Sequence, residues 1–230
     1  MIDWINNIRN VIFDLGGVVI DLDRDRAVHA LEELGLNDVD DMLGLYGQKE
    51  PFYGLETGER STADFFDLLR SRMKEGVTDT EITEAFNKFL VNLPSGRLKM
   101  LRRMREAGYR IFMLSNTNPV MYQTWIDRAF RQEGKTVNDY FDGIVVSFQE
   151  LMCKPDVAIF QTLMRRYGLN PSETLMLDDS ENNCNAAKEA GAHALCVGKS
   201  DKDDMMAICG TLLKVAKHSD AGVVHPYQKS

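Results

Sequence analysis

The chain has 230 residues, enough for one large domain or a domain carrying an insert. At that size the area scaling laws bury about 72% of the extended chain's surface, so a core needs no disulfide or metal staples. Hydrophobic residues at 44% and charged residues at 27% exclude a disordered or fibrous chain, and a net charge of −8 excludes a surface built to coat nucleic acid or an anionic membrane. The four cysteines, Cys153, Cys184, Cys196 and Cys209, form no C-x-x-C pair. No apolar run is long enough to span a membrane, and Met1 to Asn10 carries no secretory pattern. A soluble, cytoplasmic protein is expected, as a monomer or homodimer with no nucleic-acid or membrane partner.

In chain order, the first apolar run, Asn10 to Phe13, reads as a strand that ends on Asp14. From about Asp23 to Pro94 no strand is expected and helix patterns follow one another. Ala27, Val28, Leu31 and Leu34 precede Gly35, and Ser61 caps a run with Phe65, Phe66, Leu69 and Met73 before Gly76. Thr78 and Glu81 resemble a capping box ahead of Ile82, Phe86, Phe89 and Leu90. Ser95 is the expected cap of a helix to Ala107, with Leu98, Leu101 and Met104 on one face and Gly108 at the stop. Strands are expected at Arg110 to Leu114, Gly143 to Val146, Thr174 to Leu177 and Ala194 to Val197. Helices are expected at Asp156 to Tyr167 and Asn183 to Ala190. Strands alternating with helices specify an α/β fold, a Rossmann-like doubly wound parallel sheet. The domain plan is a core of residues 1–22 and 95–217, a helical cap of 23–94 inserted after the first strand, and a loosely ordered tail of 218–230.

In such sheets ligands bind beyond the carboxyl ends of the strands. Asp14 follows the first apolar run, Ser115-Asn116-Thr117 the second, a loop with Lys154-Pro155 the third, and Asp178-Asp179-Ser180 the fourth. Parallel strands would bring all four groups to one edge. Two or three carboxylates around one point repel each other and call for a hard cation, and Mg²⁺ suits one or two carboxylates plus a phosphate. A lysine and a hydroxyl–amide pair would take the remaining phosphate oxygens. Asp14 is then a metal ligand or a nucleophile, since carboxylates attack phosphorus to give aspartyl-phosphates. Gly16 and Gly17 let the backbone approach an anion closely.

These segments carry a resemblance. Phe-Asp-Leu-Gly-Gly-Val-Val at 13–19, Leu-Ser-Asn-Thr at 114–117, Lys154-Pro155 and Leu-Asp-Asp-Ser at 177–180 resemble, in order and spacing, the four motifs of the haloacid dehalogenase-like (HAD) hydrolases. The helical insert matches the family's cap. The motifs are most like the sugar-1-phosphate branch, which includes α-D-glucose-1-phosphate phosphatases. The resemblance implies a Mg²⁺-dependent phosphatase of small phosphorylated metabolites, with Asp14 as nucleophile and Mg²⁺ ligand. It implies that Ser115, Asn116 and Gly17 bind the phosphoryl group with Lys154, which also balances charge. Asp179, Asp178 and the Gly16 carbonyl would complete the metal site, and Asn183 would hold the loop.

One position departs from the pattern. Most family phosphatases have a second aspartate two residues after the nucleophile, acting as general acid and base, and here that residue is Gly16. The proton must come from a cap residue, a water or the substrate; a C1 phosphate, leaving as a hemiacetal oxygen, needs less help. The rival readings are a dehalogenase-type hydrolase and a catalytically silent binding protein. Glu56 and Arg60 read equally as substrate contacts reaching from the cap or as helix-surface charge. Asp21, Asp23 and Asp25, interleaved with Arg24 and Arg26, read as a solvated entrance rather than a second metal site. His29 and His193 read as structural.

Overall fold

Five short apolar runs form one parallel sheet in the computed structural model, which describes residues 3–198 and 204–221. They are β1 (Asn10–Phe13), β4 (Arg110–Ser115), β5 (Gly143–Val146), β6 (Thr174–Asp178) and β7 (His193–Cys196), and two strands introduced below lie between β1 and β4 in sequence. The spatial order is β5-β4-β1-β6-β7, so β1 lies at the centre. Phe13 pairs with Met113 on one side and with Leu177 on the other. The three central strands therefore end together, and Asp14, Ser115 and Asp178 reach the same edge.

Alternation along each strand builds two cores. Val11 and Phe13 of β1 join Ile111 and Met113 of β4 and Leu175 and Leu177 of β6 on one face. Ile12, Phe112, Leu114 and Met176 point to the other, under the helices Val157–Tyr167 and Glu181–Glu189. The first face is covered by Leu98, Leu101 and Met104 of α6 (Ser95–Glu106) and by Cys209 and Leu212 of the last helix, Met205–Ala221. Both faces being covered explains why the strands read as continuous apolar runs.

Between β1 and β4 the chain forms a helical insertion: α1 (Arg24–Glu33), α2 (Val39–Met42), α3 (Phe52–Glu56), α4 (Thr62–Arg70) and α5 (Asp79–Asn87). Its centre is an aromatic cluster in which the ring of Phe52 lies 5.5 Å from that of Phe65 and 5.1 Å from that of Phe86. Asp23, Ser61 and Thr78 cap α1, α4 and α5 with their side chains, Thr78 with Glu81 as a full capping box.

Some boundaries differ from the sequence expectation. A two-stranded antiparallel ribbon, β2 (Asp21–Leu22) with β3 (Leu90–Asn92), closes the insertion where no strand was expected. Leu90 belongs to it rather than to the face of α5. Two and three residues carry too little periodicity to register as strands. Pro94, not Ser95, is the N-cap of α6, and it has no side-chain oxygen to offer. The helix expected from Asn183 starts at Glu181, and the last strand begins one residue early, at His193. The last helix continues through Ala221, into the stretch expected to be a tail; residues 222–230 lie outside the described residues. Among the described residues no helix is long and apolar enough to cross a membrane.

Candidate active site

The site grows from the carboxyl edge of the three central strands. The Asp14 N–H donates to the Leu177 carbonyl (2.9 Å), continuing the β1–β6 ladder one residue beyond the strand. Lys154, from the loop after β5, is buried and extends between two carboxylates. Its Nζ lies 2.8 Å from Asp14 Oδ1 and 2.6 Å from Asp178 Oδ2. The other oxygen of Asp178 accepts from the Ser180 N–H (3.0 Å) and from Asn183 Nδ2 (2.9 Å). Asp178 is thus held on every side and fully buried, with no face on the cavity.

Asp179, the next residue, is half-buried and lines the cavity. One carboxylate oxygen from each of Asp14, Asp178 and Asp179 lies within 4.8 Å of the others. Gly17 supports this cluster rather than lining the cavity. It has φ +72°, and a Cβ built on it would sit 2.1 Å from Asp179 Oδ2, so only glycine lets that carboxylate stand where it does. Gly16, Ser115 and Asn116 line the cavity. Asn116 also orders the lysine: its amide donates to the Lys154 carbonyl and its Oδ1 accepts the Lys154 N–H, both at 2.8 Å.

Three carboxyls share one ammonium here. Burial disfavours the Lys154 ammonium, but Asp14 and Asp178 outweigh that and hold it protonated, above the ordinary lysine range. Burial pushes Asp14 up to about 7, with repulsion from Asp178 and Asp179 working against the pull of Lys154. Burial and then Asp178 push Asp179 up to about 6. Carboxyls displaced upward despite a neighbouring ammonium mark a site with too little positive charge. All-oxygen donors in such a cluster fit a hard divalent cation such as Mg²⁺.

The insertion supplies the opposite wall. Leu43, Phe52, Phe86, Phe89 and Leu90 face the cavity, joined by Tyr46, Gln48 and Glu56. Tyr46 hydrogen-bonds the Asp179 carboxylate. Tyr46 and Gln48 were missed in the sequence, where 43–51 shows no period and no motif. Glu56 reaches the cavity, but Arg60 does not line it and instead pairs with Glu50 at 2.8 Å. The acid–arginine run has separate partners: Asp21 with Arg97 (2.7 Å), Asp23 with the N-terminus of α1, and Arg24 with Asp25 (3.1 Å) and Asp40. No shared point remains for a second metal there. His29 is exposed beside Glu32, and His193 stacks on Trp4 with ring centroids 4.2 Å apart.

Residues 8–191 match the family model for haloacid dehalogenase-like hydrolases. A D-ribitol-5-phosphate phosphatase of Bacteroides thetaiotaomicron is 36% identical over 184 residues, covering 80% of this chain and 89% of that protein. A phosphoglycolate phosphatase of Nitrosospira multiformis is 29% identical over 83% of each chain. A HAD-family enzyme from Bacteroides thetaiotaomicron, crystallised with magnesium and inorganic phosphate, superposes with a TM-score of 0.77. It has 35% sequence identity, and the match covers 84% of this chain and 96% of that one.

Proposed function

This chain belongs to the haloacid dehalogenase-like hydrolases, and from that premise we propose that it is a Mg²⁺-dependent phosphatase of small phosphorylated metabolites. The observation that carries the reading is the convergence of Asp14, Asp179 and the buried Lys154 on one cavity at the edge of the sheet.

Asp14 is the nucleophile, its carboxylate displacing the ester oxygen at phosphorus and giving an aspartyl-phosphate that water then hydrolyses. Ser115 and the backbone at Asn116 hold phosphoryl oxygens. Lys154 orients Asp14 and offsets the charge gathered between carboxylate and phosphate. Asp14, Asp179 and the Gly16 carbonyl would hold Mg²⁺, with Asp178 fixing Lys154 and the following loop. When bound, the cation supplies positive charge to the equatorial oxygens of the phosphoryl group. Residues 23–94 act as a cap, closing the cavity over the leaving group.

The relatives named for ribitol 5-phosphate and phosphoglycolate support a phosphorylated polyol, sugar or short acid as the substrate class. Sugar 1-phosphates stay within the proposal because their leaving group needs the least proton help. A screen of phosphorylated metabolites with and without Mg²⁺ tests the function. Phosphate release should need Mg²⁺ and vanish in Asp14→Asn. Hydrolysis of a haloacid that survives EDTA would instead support the dehalogenase reading.

A further inference from the structure

Monoester hydrolysis moves a proton twice, once onto the departing alkoxide and once off the attacking water. Gly16, two residues after Asp14, has no side chain to do this; a Cβ added there would stand 3.0 Å from Leu22 Cδ1. Of the residues lining the cavity, the acids are Asp14, Asp179 and Glu56. The first two belong to the carboxylate cluster. Glu56 comes from the far wall, at the end of α3.

Its position is built, not incidental. Ser147 Oγ lies 2.7 Å from the Glu56 carbonyl, and the same hydroxyl accepts the Thr117 N–H at 3.0 Å, tying α3 to the loop after β4. Two residues on, Gly58 has φ +76°, and a Cβ there would lie 2.2 Å from the Phe148 carbonyl oxygen, so the turn after α3 sits directly on the core. Among the described residues the Glu56 carboxyl has no hydrogen-bond partner, which leaves it free for a ligand.

We propose that Glu56 is the general acid and base of this enzyme, standing in for the side chain that Gly16 lacks. The inference rests on the phosphatase reading above. In the first step an Asp14 oxygen bonds to phosphorus, the phosphorus–ester oxygen bond breaks, and Glu56 gives its proton to the departing oxygen, releasing an alcohol. In the second, a water oxygen bonds to phosphorus, Glu56 takes the water's proton, and the phosphorus–Asp14 bond breaks to release phosphate. Both residues return to their starting forms.

The titratable groups facing Glu56 agree with this use. Lys154 and Cys153 interact with it from the loop after β5, and Asp14, Asp179 and Tyr46 line the same cavity. Burial pushes Glu56 up to about 7 against the pull of Lys154, and burial pushes the Cys153 thiol up to about 12, so it stays neutral. A carboxyl near 7 can act in both directions at neutral pH.

The test compares two probes with Mg²⁺ present. Benzyl phosphate needs a proton on its leaving oxygen, and p-nitrophenyl phosphate does not. In Glu56→Gln, turnover of benzyl phosphate should fall about 10²-fold or more, the usual scale of acid–base help. With p-nitrophenyl phosphate the variant should show a rapid burst of one nitrophenolate per enzyme and then a slow steady state. Intact mass should show the phosphorylated chain accumulating. Glu56→Asp should restore part of both losses. If both probes slow alike with no phosphorylated chain, or if Glu56→Gln retains full turnover, the proposal is overturned while wild-type turnover leaves the phosphatase reading standing. A wild type inert to both probes overturns both.

Discussion

A lysine side chain with 1% of its surface exposed must be compensated, and Lys154 has Asp14 and Asp178 within 2.8 Å and 2.6 Å. Removing one partner of such a group is far more damaging than replacing all of them, because the remaining charges stay buried and unmatched. Lys154→Met should therefore destabilise the metal-free protein by about 3 kcal/mol or more, read from urea midpoints. Gly17→Ala is subtler. Its added methyl falls on Asp179 Oδ2, so calorimetry should show weakened Mg²⁺ binding with a much smaller loss of thermal stability. Lys154 was legible from its place beside Pro155 in the loop after the Gly143–Val146 run, and Gly17 from its glycine pair. Tyr46 and Gln48 were not, since only the tertiary fold brings their irregular segment over Asp179.

The elements of the sheet announced themselves through uninterrupted apolar runs flanked by polar turn residues, which is what a strand buried on both faces must look like. The ribbon of β2 and β3 did not, being too short to show a period. The helical run from Pro119 to Phe130, with a π turn at Tyr122–Ile126, also went unread, because that turn breaks the 3.6-residue spacing. Caps were more dependable where a side-chain oxygen does the work. Thr78→Ala removes one half of an exposed capping box and should cost about 1 kcal/mol of stability while leaving turnover unchanged, as measured by thermal melts and steady-state rates. Ser147→Ala should do the reverse. It releases the Glu56 carbonyl from the loop after β4, so kcat on benzyl phosphate should fall more than the melting temperature does.

For the molecule as a whole, the crowded acids make stability depend on pH and on magnesium together. Asp14 and Asp179 rise from 3.8 to about 7 and about 6, and Glu56 from 4.5 to about 7, each displaced first by burial. A raised carboxyl keeps its proton in the folded chain after the unfolded chain has lost it. The stability it contributes is complete below about pH 4 and is lost as pH climbs toward 7. The metal-free protein should thus lose part of its melting temperature between pH 4.5 and 7 through these groups. Added Mg²⁺ should raise it more at pH 7.5 than at pH 5, and that difference should shrink in Asp179→Asn.

The central place of β1 has a consequence for synthesis. The strand leaves the ribosome well before its partners, residues 110–115 and 174–178. Until the second of them emerges, Val11-Ile12-Phe13 keeps a bare edge, the kind of template on which nascent chains stick to one another. Asp14 acquires its buried surroundings only after residue 178 has been translated. Nascent chains halted near residue 150 should accordingly bind chaperones and resist refolding in isolation.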